Sequence, residues 1–264
     1  MQLTAAGRTL LEEVPAALAA LERAAEHTRR AGAGAATTLQ LGYTPVVGFN
    51  TLPALLATAE HDHPELTIVA REHFSAAIPE RLLAGDLDIG IALHPEPVGG
   101  VEGELLRSEP VTALLSTRHR LADRQSISLR ELRDEPLLLF PRQLAPAYYD
   151  RIVTACERAG FQPRIQTFHD PPVNAMLARL PGGREIGLTP ASLAIHAAEA
   201  GLDIVARDII DPVIHAELSI LWPTRTPSAA VAHFLDSARR CATNKHWLAA
   251  PDRKTTPPAS SPAR

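Results

Sequence analysis

The sequence predicts an α/β protein built from two lobes. From Thr38 onward, short apolar stretches of strand type alternate with stretches of helical type, a pattern typical of parallel strands joined by right-handed crossovers. A chain of 264 residues fits one large or two small domains. The segment 110–117 is suited to cross from a first lobe to a second, and the segment 215–222 to return. We therefore expect two lobes joined by two strands.

The composition is typical of a globular protein with an aliphatic core. Hydrophobic residues make up 45% of the chain and aromatic residues only 4%, so aliphatic side chains must fill the interior. The net charge is −4, whereas a domain that binds DNA phosphates usually has an excess of basic residues. The two cysteines lack metal-ligand spacing and are expected to be reduced thiols. No signal-peptide core and no membrane-length apolar run is present, which predicts a cytoplasmic protein without a membrane partner.

Within the segment 1–31, residues Thr4 to Arg30 are predicted to form a helix with one apolar stripe. Leu10, Val14, Leu18 and Leu21 recur at spacings of three and four residues, which places them on one face. A stripe on a helix without sequence neighbours needs something to pack against, and a second copy of the same helix is the simplest partner. We therefore expect a dimer or tetramer.

The remaining elements follow in alternation after a flexible joint at 32–37. The predicted strands are 38–43, 65–71, 87–93, 103–108, 110–117, 136–140, 163–168, 185–189, 202–206 and 215–222. The predicted helices are 47–61, 75–85, 128–133, 145–159, 172–180, 191–200 and 228–240. Residues 38–112 and 216–248 are assigned to lobe I and residues 113–215 to lobe II, while 249–264 lack apolar content and are expected to be disordered.

Two strand-to-helix junctions carry hydroxyl side chains. Thr44 and Pro45 follow the first predicted strand, and Ser75 follows the second. A helix N-terminus offers unpaired N–H groups and the positive end of the helix dipole, so it favours an anion. Both junctions should lie at the carboxyl edge of one sheet, where open α/β folds bind ligands. The alternative is that Thr44 and Ser75 only cap their helices, as Ser and Thr often do.

Five short motifs resemble those of LysR-type transcriptional regulators. Residues 3–7, Leu-Thr-Ala-Ala-Gly, followed by Leu10 and Leu11, resemble the family's LTxAGxxLL signature at the start of its linker helix. Residues 82–89 resemble its LxxGxLDxxI motif. Three further matches fall in the expected order, at Pro64-Glu65-Leu66, at His119-Arg120-Leu121 and at 187–192. The resemblance covers roughly residues 3 to 240 of the patterned chain.

The resemblance implies a two-lobed, periplasmic-binding-protein-like (type 2) effector domain preceded by a dimerising linker helix. Only two residues precede the first motif, so the sequence resembles such a regulator without its winged helix-turn-helix. A mis-assigned start and a real truncation are both open. As written, the chain is expected to bind DNA weakly or not at all, and promoter DNA is expected as a partner only if a helix-turn-helix precedes it. The segment 180–185 departs from the family's Ala-Gly-x-Gly turn.

In the family the effector binds in the cleft between the lobes. Thr44, Pro45 and Ser75 match its positions in lobe I, while Arg142 and Ser192 match loops that face them from lobe II. Arg142 is the charged residue of choice, because a guanidinium binds a carboxylate through two hydrogen bonds. A solvated loop arginine is the alternative for Arg142. The effector is expected to be a small molecule, with a carboxylate preferred.

Catalytic and metal-binding motifs are missing from the sequence. There is no GxSxG, CxxC, HExxH or phosphate-binding glycine loop, so no enzyme activity, cofactor or metal is expected. Asp86 and Asp88 suit a turn and a strand start, and His61 and His63 suit a helix end. The leading function is the effector-sensing part of a regulator. A solute-binding receptor of the same fold serving a transporter is the alternative, and a cytosolic enzyme on this fold is third.

Overall fold

A computed structural model describes residues 38–168, 172–225 and 227–248, with Thr4, Ala6, Gly7, Val14, Leu18 and Ala25 near the N-terminus. Val14 and Leu18 are helical, and Leu18 is 53% exposed. Leu10 and Leu21, the predicted joint at 32–37 and the predicted tail at 249–264 lie outside the described residues.

The described residues form ten strands and six α-helices. The strands are β1 (Thr38–Tyr43), β2 (Thr67–Glu72), β3 (Ile89–Leu93), β4 (Val101–Ser116), β5 (Ser126–Ser128), β6 (Pro136–Leu139), β7 (Arg164–Thr167), β8 (Ile186–Pro190), β9 (Ile204–Ile210) and β10 (His215–Pro223). The helices are α1 (Thr51–Asp62), α2 (Ile78–Ala84), α3 (Pro146–Arg158), α4 (Pro172–Arg179), α5 (Ala191–Glu199) and α6 (Ala229–Asn244). Short 3-10 helices occupy Pro45–Phe49, Ser75–Ala77, Leu129–Leu132, Arg142–Leu144 and Leu180–Gly182. The predicted helix 128–133 is thus a 3-10 turn.

The strands form two sheets that share β4. The first sheet has the order β2-β1-β3-β10-β4, and the second continues from β4 through β8 and β6 to β7, with β9 and then β5 on the other side of β4. Strands β1, β2 and β3 are parallel, as are β6, β7 and β8. The predicted parallel strands are present in both sheets, but β10 runs antiparallel to β3 and β4, and β4 runs antiparallel to β8 and β9. These pairings arise because the chain leaves the first sheet along β4 and returns to it along β10.

Strand β4 is one continuous strand of 16 residues, not the predicted pair 103–108 and 110–117. Its residues up to Pro110 pair with β10, and from Val111 onward they pair with β8 and β9. Proline has no N–H to donate to a ladder, so it suits a point where pairing changes. Pro110 therefore marks the place where the strand passes from the first sheet to the second.

The segment that resembles the LxxGxLDxxI motif makes a tight turn from α2 into β3. Gly85 ends the helix with φ of 79°, a left-handed conformation that glycine adopts without steric cost. A Cβ on Gly90 would lie 2.2 Å from the Ile78 side chain, so this position lets the helix pack directly on the strand. The Asp88 carboxylate accepts a hydrogen bond of 2.8 Å from the Gln40 N–H and ties the turn to β1. The motif therefore has a structural explanation.

Aliphatic side chains fill the interior, as the composition predicts. The largest hydrophobic cluster extends through both sheets, and Tyr148 and Phe234 are its largest fully buried side chains. Within the described ranges, no helix has both the length and the apolar character needed to span a bilayer.

Candidate functional site

A cavity lies at the carboxyl ends of parallel strands from both sheets. It holds about 570 Å³ of empty space, part of which is open to solvent. Its lining comprises Thr44, Pro45, Val46, Phe74, Leu93, Leu138, Leu139, Phe140, Leu144, Ala145, Tyr148, Phe168, Val173, Met176, Leu188, Thr189, Pro190 and Leu193. Open α/β sheets bind ligands at this edge, because loops and helix N-termini converge there.

The cavity lining is apolar apart from three hydroxyl side chains. Thr44 comes from the first sheet, whereas Thr189 and Tyr148 come from the second sheet and α3. None of the lining residues in the described chain carries a charged side chain. A polar group inside the cavity would therefore have to bind hydroxyls and backbone groups.

Thr44 and Pro45 line the cavity at the end of β1. Thr44 is 5% exposed, and its N–H donates to the carbonyl of Ile91 over 2.9 Å, which fixes the junction against β3. A 3-10 helix begins at Pro45, and the Thr44 side chain makes no capping hydrogen bond to it. The capping role that the sequence left open for Thr44 is thus not seen, and its hydroxyl is not used by the turn.

Ser75 lies behind the cavity wall. It is 4% exposed and is not among the lining residues, although its neighbour Phe74 is. Its hydroxyl accepts a hydrogen bond of 3.0 Å from the N–H of Leu93, which does line the cavity. Ser75 does not cap a helix either, since Phe74 holds that position. The hydrogen bond between Ser75 and Leu93 connects the end of β3 to the turn after β2.

Arg142 is exposed to solvent and is not part of the cavity lining. Its guanidinium donates two hydrogen bonds, of 2.7 and 2.6 Å, to the carboxylate of Asp150 on α3. Hydrogen bonding to Asp150 raises the pKa of Arg142 and lowers that of Asp150. In this arrangement a local partner eight residues away engages the charge of Arg142.

Ser192 lies at the N-terminus of α5 and is bound to a carboxylate from the same chain. Its N–H and its hydroxyl donate to Glu109 over 2.7 and 2.9 Å. Glu109 is only 6% exposed, and a carboxylate at a helix N-terminus is favoured by the helix dipole. The predicted anion-binding position at Ser192 is therefore filled by Glu109.

Glu109 belongs to a buried polar group that we call the Arg107–Glu109 network. Arg107 donates to Glu109 over 3.1 Å, and to the side chains of Asn50 and Thr51 over 2.8 and 2.9 Å. Its guanidinium carbon also lies 5.1 Å from the centre of the Trp247 ring. Burial lowers the pKa of Arg107, and the charge of Glu109 opposes that shift. Through Ser192, the network connects the start of α1 to the start of α5.

Tyr148 is a cavity residue that the sequence analysis missed. It is 1% exposed, and its ring stacks on His94 at 5.6 Å and on Phe140 at 5.8 Å, with both pairs of planes 7° apart. Its hydroxyl has no hydrogen-bond partner among the described residues. Burial, and then the negative charge of Glu109, raise the pKa of Tyr148, so the phenol stays protonated. Helical periodicity could place Tyr148 on the buried face of α3, but it could not show an unpaired hydroxyl.

His94 supports Tyr148 from the end of β3. Its Nε2 accepts a hydrogen bond of 3.0 Å from the N–H of Glu217 on β10. Burial, and then the charge of Arg151, lower the pKa of His94, so the ring is neutral near pH 7. The stack therefore places an uncharged imidazole against the phenol.

One group of described residues combines three side chains that could hold a metal ion. Nδ1 of His63 lies 3.5 Å, and Nδ1 of His233 lies 3.8 Å, from the same oxygen of Glu65. The two imidazole rings are stacked at 4.1 Å with their planes 3° apart. An imidazole binds an ion in its own ring plane, so one ring would have to rotate before both could bind one ion. In the present geometry these groups pair with each other.

Comparison with known proteins finds similarity to the LysR substrate binding domain and to proteins named as transcriptional regulators. Residues 32–242 match the model of the LysR substrate binding domain. The HTH-type transcriptional regulator AlsR of Bacillus subtilis is 31% identical over 165 residues, 62% of this chain and 55% of that protein. The chain thus spans just over half the length of this relative.

Two solved structures share the fold over most of the described chain. The crystal structure of CbnR, a LysR family transcriptional regulator, aligns with a TM-score of 0.73 and 26% identity, covering 91% of this chain and 82% of that chain. The BenM effector binding domain with its effector benzoate aligns with a TM-score of 0.70 and 21% identity, covering 83% of this chain and 98% of that chain. The second likeness is a likeness of fold.

Proposed function

The chain belongs to the LysR substrate binding domain family, and from this we propose that it is the effector-sensing and oligomerising part of a LysR-type transcriptional regulator. One observation carries the proposal, namely the apolar cavity lined by residues of both sheets at the carboxyl ends of their parallel strands. The relative AlsR is named as a regulator, so the role of a transporter receptor is not favoured. In this role the chain works in the cytoplasm beside the promoter DNA that the whole regulator binds.

We divide the effector domain into two lobes, 38–112 with 216–248 and 113–215. The passage of β4 from one sheet to the other at Pro110 supports this division. A ligand that contacts both lobes binds one arrangement of them better than another, and only such a difference in affinity can shift a population. Transcription would be modulated through that shift.

The effector we propose is compact, largely apolar and acidic. The aliphatic and aromatic lining fits an apolar body, and BenM, which shares the fold, is described with benzoate as its effector. Thr44 and Pro45 would contact the ligand directly, while Ser75 would hold the wall behind it. Ser192 is bound to Glu109 and Arg142 to Asp150, so neither is assigned a direct contact.

The proposal predicts that this chain binds a small monocarboxylate without help from Arg142. Calorimetry with benzoate, phenylacetate and cyclohexanecarboxylate is expected to show saturable binding by at least one of them. The Arg142→Gln variant is expected to bind that acid within about threefold of the parent, because its charge serves an exposed ion pair. Binding of none of these acids would contradict the proposed function. A large loss of affinity in the Arg142→Gln variant would show that Arg142 contacts the effector.

The N-terminal helix predicted from the sequence leads us to expect self-association. Leu18 is 53% exposed in a single chain, and covering such a side chain contributes about 1.5–3 kcal/mol. Deletion of residues 1–31 is therefore expected to reduce the oligomer size measured by sedimentation, while Leu18→Asp in the full chain should weaken the same association. A full chain that is strictly monomeric at micromolar concentration would contradict this prediction.

A further inference from the structure

We propose that Tyr148 is the hydrogen-bond donor that selects the effector, and that its hydroxyl binds an acceptor atom of a compact, largely apolar monocarboxylate in the cavity. This inference rests on the proposed function, which it deepens by naming a selecting residue and a charge class. Sequence motifs do not point to Tyr148, and the argument comes from its surroundings.

The Tyr148 hydroxyl is buried without a partner. Only one other buried side-chain polar atom among the described residues shares this condition, Oγ1 of Thr112, and Thr112 does not line the cavity. A buried hydroxyl without a hydrogen bond lowers the stability of a fold, and native proteins keep few of them. An unpaired donor on a residue that lines the cavity is explained if a ligand supplies the acceptor.

The Tyr148 ring is held in place before any ligand binds. His94 and Phe140 stack on it with their planes 7° from its own, and only 1% of the residue is exposed. His94 follows β3 of the first sheet and Phe140 follows β6 of the second. A side chain fixed in this way loses little rotamer freedom on binding, so its hydrogen bond contributes fully to selectivity.

The small number of polar groups in the cavity lining favours a ligand with one negative group. None of the described lining residues is cationic, so a carboxylate inside must be satisfied by hydroxyls and backbone N–H groups. The phenol stays a donor because burial and the nearby charge of Glu109 raise its pKa. A second carboxylate would have to share the same three hydroxyl groups without any counter-ion among the described lining residues, and a buried charge without enough donors is strongly unfavourable. Monocarboxylates are therefore preferred over dicarboxylates.

The test compares Tyr148→Phe with Tyr149→Phe in the full chain. Tyr149 is the adjacent residue, packs edge-on to Phe140 at 6.0 Å and is not part of the cavity lining, so its variant is a matched loss of a phenol. Urea unfolding is measured without ligand and with benzoate, phenylacetate, cyclohexanecarboxylate or phthalate, and affinities are measured by calorimetry.

Without ligand, Tyr148→Phe is expected to unfold at the same or a higher urea concentration than the parent, because it removes an unsatisfied group. The monocarboxylate that stabilises the parent is expected to bind Tyr148→Phe about tenfold to a hundredfold more weakly. Tyr149→Phe should bind it as the parent does, and phthalate should stabilise none of the three chains.

Each other outcome overturns the inference in a recognisable way. A lower urea midpoint for Tyr148→Phe would mean that the hydroxyl has a structural partner. Equal binding by parent and Tyr148→Phe would remove Tyr148 from the site and leave the proposed function standing. Binding of none of the acids by the parent would overturn the proposed function together with the inference. Preferential binding of phthalate would overturn the charge class.

Discussion

Glu109→Gln is expected to destabilise the chain by about 3–5 kcal/mol, because it removes one partner of a buried ion pair. The Glu109 carboxylate is 6% exposed and accepts hydrogen bonds from Arg107 and from both the N–H and the hydroxyl of Ser192. Glutamine has the same shape but turns an NH₂ group toward at least one of these donors. The free energy of unfolding from urea titration is the measurement.

Glu104→Gln on the same strand is the matched control for this prediction. Glu104 pairs with Arg239 through hydrogen bonds of 2.9 to 3.2 Å, but the pair is exposed to solvent, so a loss of about 0–1 kcal/mol is expected. A Glu109→Gln variant as stable as Glu104→Gln would show that the buried network does not hold the two sheets. The comparison separates burial from charge, since both variants remove one carboxylate from β4.

The Arg107–Glu109 network connects elements on both sides of the point where β4 changes sheets. It joins Asn50 at the start of α1 to Ser192 at the start of α5, and Glu109 directly precedes the point where β4 changes sheets. A relative movement of the sheets would strain these hydrogen bonds.

The sequence predicted strands β1 to β3 well because their signals are local. Strands β1 to β3 are short apolar runs followed by turns, and the Gly85 turn before β3 carries its own glycine signal. The positions of Thr44 and Pro45 at the cavity follow from the same strand ends. The prediction divided the continuous strand β4 next to Pro110. A proline is accommodated there because the strand changes pairing partners at that residue, and no local sequence pattern reveals this.

The second side of the site depends on pairings between distant residues. Ser192 donates a hydrogen bond to Glu109, which lies 83 residues earlier in the chain. Glu109 is part of a strand, so the sequence around it does not indicate that its carboxylate binds the N-terminus of a helix. Arg142 was predicted to bind the effector because of its charge and its position in the sequence. In the structure its guanidinium instead pairs with Asp150, one helix turn into α3. The unpaired hydroxyl of Tyr148 is a property of packing, and a sequence pattern does not contain it.

Thr44→Val is expected to weaken effector binding about tenfold to a hundredfold, since it removes one hydroxyl that would donate to the effector's carboxylate. Valine keeps the shape of threonine, and the Thr44 hydroxyl caps no helix. The backbone bond from Thr44 to Ile91 remains in the variant. Unfolding free energy is therefore expected to change by less than about 1 kcal/mol, while calorimetry with the bound monocarboxylate reports the loss of affinity.

Thr58→Val is the control for the loss of a threonine hydroxyl. Thr58 lies on α1, where its hydroxyl donates to the carbonyl of Ala54, and it is not part of the cavity lining. It should bind the effector like the parent. If Thr44→Val also binds like the parent, the polar end of the effector does not reach the end of β1. The donors on the opposite wall, Thr189 and Tyr148, would then have to hold the carboxylate, and loss of the Tyr148 hydroxyl would have the larger effect.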